Sequence, residues 1–272
     1  MRLIHRVQHC SVCLCPVPGT AARMLSLSVV IPCKDDADLL LRCLAALETQ
    51  TLPPLEVVVV DNSSTDDTQG VARRFRARVV TESRPGIPAA ASTGYDAATG
   101  DLIVRCDADS LPPPNWLERI AATFEADDEL VALTGPGDFY GVGRRKSRLL
   151  ARLYFWPFAV ATGAALAHWP LYGSNMAMRR VAWETVRTTV HRQDPEMHDD
   201  MDLSLHLGTV GRLRLDPHLR VGVSPRAVRD IGNFDQRFRR GVHTLRSHWP
   251  EEAPWRRWPR RLGSRRRRSR RR

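Results

Sequence analysis

Lysine is almost missing from this chain: Lys34 and Lys146 stand against 39 arginines. Nucleotide composition of the genome accounts for part of that bias. The formal net charge of +11 invites a nucleic-acid reading. Residues 256–272, however, hold eleven arginines and no acid, so the other 255 residues are formally neutral. The excess belongs to a tail and not to a basic groove in the fold, and no specific nucleic-acid partner is expected. Glycine-rich phosphate cradles are absent too: there is no G-x-x-x-x-G-K-[ST] loop and no G-x-G-x-x-G fingerprint. No secretory signal is present, because Met1 to Arg23 lacks an apolar core and a small-residue cleavage pattern. Cysteine usage gives no disulfide framework. Cys33, Cys43 and Cys106 fall in predicted core elements. His9, Cys10, Cys13 and Cys15 have C-x-C spacing and no second ligand pair. These absences point to a reducing cytoplasm.

What is present is a regular alternation of strand and helix patterns. Leu27 to Ile31 is a short β-rich run closed by Pro32. From Asp36 to Glu48, apolar residues at Leu39, Leu40, Cys43, Leu44 and Leu47 have helical spacing. Leu55 to Val60 is almost continuously apolar and β-branched, as a strand buried on both faces should be. It ends on Asp61-Asn62-Ser63-Ser64-Thr65-Asp66, a loop and helix-capping cluster. A helix to about Phe75, a strand over Arg78–Thr81, an Ala-rich helix from Ile87 to Ala98 and a strand over Leu102–Val104 follow. Such repetition predicts an α/β fold with a doubly wound, mostly parallel sheet flanked by helices. The length suits one domain with an extension.

The last of these strands runs into Asp107-Ala108-Asp109, two carboxylates one residue apart. At the carboxyl edge of an open α/β sheet, where ligands sit, strand alternation would turn both acids the same way. Two hard oxygen ligands suit Mg²⁺ or Mn²⁺ carrying a diphosphate. A D-x-D triplet alone also fits an ordinary turn cap, with Pro112-Pro113-Pro114 opening the next helix.

In order and spacing, Ser28-Val29-Val30-Ile31-Pro32, Val58 to Asp66, Ala98-Thr99-Gly100-Asp101 and Asp107-Ala108-Asp109 resemble the donor half of family-2 glycosyltransferases with the GT-A fold. Gly173 to Arg180 and His198 to Leu203 resemble that family's acceptor-side segments, and the resemblance covers roughly residues 27 to 240. It implies transfer of a sugar from a nucleotide-diphosphate donor to an acceptor hydroxyl or phosphate, with inversion. Pro32, Asp61, Arg84 and Asp107 would line the donor site, Asp61 accepting from the nucleobase. Asp109, with Asp107, would bind the metal, whose charge stabilises the leaving diphosphate. Gly173, Ser174 and Asn175 would meet the acceptor. Asp199-Asp200 stands where the family usually shows Glu-Asp, so Asp200 would be the general base with Asp199 beside it. Adjacent carboxylates imply that Asp199 raises the pKa of Asp200. Asp202, and to a lesser degree Asp199, also reads as plain acidic charge at a helix N-terminus. Ala91-Ser92 replaces an Arg-Asn pair of many relatives, and Asn62 replaces a second Asp.

Residues 236–240 match a processive-synthase signature only in part and read as a basic amphipathic helix. The uncharged stretch from Leu153 to Met178 is long enough to span a bilayer but is broken by Pro157, Gly163, His168, Pro170 and Gly173. A span there would also separate Asp109 from Asp200. Leu149 to Ala167 is therefore read as a helix on the core or at a membrane interface, with Phe155, Trp156, Phe158 and Trp169 as anchors. Expected boundaries are a leader at 1–23 (a mis-called start before Met24, or disorder), a catalytic domain at 24–250 with donor half 27–135 and acceptor half 136–250, and a disordered Arg-rich tail at 251–272. The tail reads either as a solubilising charge run or as an anchor to anionic lipid at the inner face of the plasma membrane. Two alternatives stand beside the transferase: a polyprenyl-phosphate glycosyl synthase using a lipid-linked acceptor, and a nucleotide-sugar-binding protein without turnover.

Overall fold

A computed structural model describes residues 24–226, 232–249 and 251–269. The leader with its His9, Cys10, Cys13 and Cys15 lies outside the described residues. The apolar runs become strands β1 (Leu27–Cys33), β2 (Glu56–Asp61), β3 (Arg78–Thr81) and β4 (Leu102–Arg105), joined by helices α1 (Ala37–Glu48), α2 (Thr68–Arg74) and α3 (Ile87–Ala97). Pro32 does not end β1; it pairs in register with Val60, next to Cys33 opposite Asp61. Helix α4 (Trp116–Glu125), strands β5 (Leu130–Thr134) and β6 (Gly137–Phe139) and the long helix α5 (Arg144–Leu166) follow. The chain closes with β7 (Met176–Arg179), α6 (Arg180–Val186), α7 (Asp199–Val210), β8 (Arg212–Leu215), β9 (Val221–Val223), α8 (Gly232–Ser247) and α9 (Pro254–Ser269).

Seven strands form one sheet in the order β3-β2-β1-β4-β7-β5-β8, and β6 pairs with β9 in a second, two-stranded sheet. β7 runs antiparallel to both β4 and β5, while the other pairings are parallel. Alternation along the strands divides the core in two. Val29, Ile31, Val59 and Val104 face α1, α2 and α4 through Leu40, Leu44, Val71, Trp116 and Phe124. Val30, Val58, Val60 and Ile103 face α3, α6 and α7 through Ala90, Tyr95, Trp183 and Leu207. Helix α3 lies tight on the sheet at Gly94, where a Cβ would come 2.3 Å from Val30 Cγ1. Burial on both faces is why β1, β2 and β4 read as continuous apolar runs.

The carboxyl-terminal part departs from the expected boundaries. Residues 254–269, within the expected disordered tail, form helix α9. Its first turns pack on the domain: Arg257 is 6% exposed, and its Nε donates to Leu166 O at 2.9 Å. Glu252 is shared between Arg257 and Arg260 and offsets one of their two charges, so part of the arginine excess is paired within the fold. Among the described residues no helix is long and apolar enough to cross a membrane. Helix α5 buries Ala151, Ala159 and Leu166 but exposes Leu149, Leu153, Trp156 and Val160.

Candidate active site

The carboxyl ends of β1, β2 and β4 make one edge. Asp61 ends β2 with 2% exposure, its Oδ1 accepting from Ser64 N at 3.0 Å and its Oδ2 from Gln69 Nε2 at 2.7 Å. Burial raises its pKa, but these donors outweigh burial and hold it below the usual carboxylate value. Beside it, Asn62 Nδ2 donates to Glu82 O and Arg84 O, and Asn62 Oδ1 accepts from Gly86 N. Two carbonyl partners require an amide; a carboxylate could not donate to them. That is the physical reason for Asn at a position where some relatives carry Asp. Arg84 is held near Glu82 Oε1 at 3.4 Å with its side chain 55% exposed.

β4 stops at Arg105, so Asp107-Ala108-Asp109 lies in the turn just beyond it, closed by Ser110 N donating to Asp107 O. Asp109 Oδ2 meets Arg226 Nη2 at 3.3 Å, and Arg226 Nη1 donates to Asp36 Oδ1 at 2.9 Å. Arg105 is the charge that organises the centre. It is 3% exposed, reaching Asp199 Oδ2 and Tyr95 OH through Nη1 and Asp107 Oδ1 through Nη2. Gly173 is required here, since a Cβ would come 2.6 Å from Arg105 Nη2.

Helix α7 brings the second acidic pair, with Asp199 and Asp200 in its first turn. Asp200 Oδ2 accepts from Gly173 N at 2.8 Å and Oδ1 lies 3.0 Å from His198 Nδ1. Burial works against the charge of Asp200, but His198, Arg105 and the Gly173 N–H hold its pKa well below the usual range. This corrects the expectation that Asp199 raises the pKa of Asp200. The upward shift falls on Asp199 instead, through burial and the charge of Asp200, against the pull of Arg105. Desolvation, followed by Asp109, Asp200 and Asp199, pushes Asp107 up to about 6 against Arg105. Water reaching its 42%-exposed side chain trims that rise without reversing it. Asp109 is raised as well, by burial and by Asp36.

Asp107, Asp199 and Asp200 are thus drawn together around Arg105 and Gly173. Asn175, expected to meet the acceptor, is fully buried, its Oδ1 accepting from Trp116 Nε1 and its Nδ2 donating to Leu219 O. Its amide is spent bracing α4 against the segment before β9. Ser174 offers its carbonyl to Ser110 Oγ at 3.5 Å. Ala91 and Ser92 are buried and, with Tyr95 and Asp199, line a small cavity behind the acidic pair. Sequence reasoning missed Arg105, His198, Asp36 and Arg226 as site residues. Only Arg105 carried a signal, as a lone cation ending an apolar strand.

The family model described as glycosyl transferase family 2 matches residues 28–186. An uncharacterized glycosyltransferase of Mycobacterium tuberculosis is 34% identical over 146 residues, covering 54% of this chain and 59% of the relative. Glycosyltransferase AglE of Haloferax volcanii is 36% identical over 104 residues, 35% of this chain and 34% of the relative. The chain therefore spans less than two thirds of these curated relatives, 59% of the first and 34% of the second. Among solved structures, the mannosyltransferase PcManGT of Pyrobaculum calidifontis, in complex with GDP-Man and Mn²⁺, superposes with TM-score 0.59 at 24% identity. That match covers 80% of this chain and 61% of the mannosyltransferase. Glucosyl-3-phosphoglycerate synthase of Mycobacterium tuberculosis, in complex with Mn²⁺, UDP and glucosyl-3-phosphoglycerate, gives 0.55 at 20% identity over 82% and 79% of the two chains. These structures share the GT-A glycosyltransferase fold of a mostly parallel sheet between helices. By the family match across more than half of its length, the chain belongs to glycosyl transferase family 2.

Proposed function

We propose that the protein is an inverting glycosyltransferase that moves a sugar from a nucleoside-diphosphate donor to an acceptor hydroxyl or phosphate. The observation that carries this reading is the junction of two acidic pairs: Arg105 bonds both Asp107 of the D-x-D turn and Asp199 beside Asp200. Donor-side and acceptor-side machinery meet at one side chain. Asp61 at the end of β2 and Arg84 in the segment after β3 would line the donor's nucleoside and phosphate, with Pro32 one residue before the end of β1. Solved relatives in fold hold GDP-Man or UDP together with Mn²⁺, which agrees with such a donor.

Asp107 and Asp109 fit a hard divalent cation, Mg²⁺ or Mn²⁺. Both carboxylates are pushed upward in pKa by burial first and by neighbouring carboxylates second, and a bound cation would offset both. Arg226, 55% exposed, places a positive charge at Asp109 and is also paired with Asp36. When bound, the ion would supply electrostatic stabilisation of the leaving diphosphate. The lowered pKa of Asp200 favours its ionised form, the form that accepts the acceptor's proton. Gly173 N–H and His198 fix its orientation. A positioned base contributes about 10²–10⁴ in rate.

Turnover of a nucleotide-sugar panel with Mn²⁺ or Mg²⁺ tests this. One donor should be hydrolysed or transferred, with loss in Asp109→Ala; Asp200→Asn should retain donor binding and lose turnover. Donor binding without turnover in wild type would favour a non-catalytic binding protein, and absence of donor binding would sink the transferase reading.

One observation favours a lipid-linked acceptor. Leu149, Leu153, Trp156 and Val160 form an exposed stripe at helical spacing on α5, and Trp255, Trp258 and Leu262 form another on α9. Trp258 Nε1 joins the helices by donating to Ala164 O. Exposed indoles among arginines suit an anionic bilayer interface. Vesicles rich in anionic lipid should sediment the wild-type protein and release Trp156→Ser/Trp255→Ser; equal sedimentation of both would remove this second reading.

A further inference from the structure

Behind α7, on residues the transfer reaction does not use, lies a second polar cluster of different composition: His191, Asp202, His206 and His248. Each offers one ligand atom, and the four atoms lie within 4.8 Å of one another. Asp202 is 3% exposed and His248 9%. Around Asp202 Oδ1 stand His191 Nδ1 at 2.7 Å, His248 Nε2 at 3.1 Å and His206 Nε2 at 3.4 Å. The two Nε2 atoms are themselves 3.4 Å apart. In a tetrahedral zinc site with bonds near 2.0–2.1 Å, the ligand atoms are about 3.3–3.4 Å from each other.

The outer hydrogen bonds decide which nitrogen faces the centre. His248 Nδ1 is 2.8 Å from Thr244 O, a carbonyl that can only accept, so that nitrogen carries the hydrogen. Thr189 Oγ1 donates its one hydrogen to Val186 O, so it must accept from His206 Nδ1 at 3.2 Å. In its neutral form each ring therefore turns an Nε2 lone pair toward a carboxylate oxygen, and the repulsion among these three acceptors is relieved either by a proton on each ring or by one shared cation. Anchoring the remote nitrogen of a ligating histidine in this way is the usual outer shell of a metal site. Asp202 Oδ2 is engaged by His191 N at 2.8 Å, which leaves Oδ1 as the inward ligand. His191, 38% exposed at its side chain, brings Nδ1 nearest of the three rings to Asp202 Oδ1 and would complete the set.

We propose that His191, Asp202, His206 and His248 bind one zinc ion as a closed, four-ligand structural site. Three imidazoles and one carboxylate suit Zn²⁺, whereas Mg²⁺ and Mn²⁺ prefer the all-oxygen pair Asp107 and Asp109. The ion would clamp α7, whose first turn carries Asp199 and Asp200, to the end of α8 and to the segment after α6.

The test is metal content of the untagged full chain after dialysis against micromolar Zn²⁺ and then metal-free buffer. The expected result is one zinc per chain in wild type, in Asp109→Ala and in Cys13→Ser/Cys15→Ser, and none in His206→Ala or His248→Ala. Thr189→Val, which keeps all four ligands, should bind zinc 10–100-fold more weakly. Cobalt-substituted wild type should give the intense visible bands of a four-coordinate ion, a readout independent of whether any variant folds. Less than a tenth of an equivalent of zinc in wild type would overturn the proposal, leaving a charged histidine–aspartate network. So would zinc retained in His206→Ala/His248→Ala, or lost in Cys13→Ser/Cys15→Ser or in Asp109→Ala.

Discussion

Arg105→Met tests the electrostatic logic of the centre, because methionine keeps much of the length while removing the charge and the guanidinium donors to Tyr95, Asp107 and Asp199. Arg105 is 3% exposed and its partner Asp199 15%, so this is a buried pair. Breaking such a pair by deleting one member costs about 3–5 kcal/mol. The bond to Asp107, whose side chain is 42% exposed, adds under about 1 kcal/mol. A loss of about 3–5 kcal/mol at pH 7.5 is therefore expected, a large part of a typical 5–15 kcal/mol. The pH dependence is the sharper signature. Without the guanidinium, the folded-state pKa values of Asp199 and Asp107 rise further above their unfolded values. The folded state then binds more protons than the unfolded one, so the variant gains stability as pH falls. Urea unfolding at pH 7.5 and 5.5 reads this: the deficit should shrink at pH 5.5, and Arg105→Met/Asp199→Asn should recover most of it at pH 7.5. A variant as stable as wild type at pH 7.5, or a deficit unchanged by pH, would refute the reasoning.

Gly173→Ala should cost about 1–3 kcal/mol and reduce turnover, since its Cβ meets Arg105 Nη2 at 2.6 Å in a packed centre; thermal unfolding beside a donor assay checks both. In His198→Ala the main group holding down Asp200 is gone. The acid limb of the rate profile should therefore move to higher pH, and an unmoved limb would detach His198 from the base. Glu56 is raised by burial, yet donors from Thr99, Ser28 and Arg78 bring it from 4.5 to about 2. This depressed pKa gives stability that is fully present above about pH 4.5 and lost as pH falls toward 2. The shift corresponds to about 3 kcal/mol, reduced to about 1–2 because Arg78 is 45% exposed. Glu56→Gln should thus fall below wild type in urea at pH 7 and match it near pH 2.

The donor half was legible because its information is local. Alternating apolar runs and helical spacing gave β1, α1, β2, β3 and β4 to within a residue or two; Asp61 ends β2, whereas Asp107 to Asp109 lie in the turn beyond β4 and not on the strand whose alternation was expected to orient them. Asn175 could not be read as buried because a side chain's partners are not in its own segment. It sits in an acceptor-like motif yet spends its amide on Trp116 and Leu219. The tail was misread for a related reason: arginine composition argues disorder, but Ala253 and Arg257 find a buried seat against Leu166 and Leu205.

By itself the sequence determined the fold class, the family and the two acidic pairs, since periods of 2.0 and 3.6 and ordered motifs are written along the chain. Tertiary structure alone decided how those pairs meet. β7 enters antiparallel between β4 and β5, and the loop before it carries Gly173 to Asp200. Arg105 finds Asp199 across 94 positions of sequence. His248 reaches Asp202 and His206 only because α8 folds back on α7. Contacts of that range depend on which surfaces pack together, and packing is a property of the whole chain.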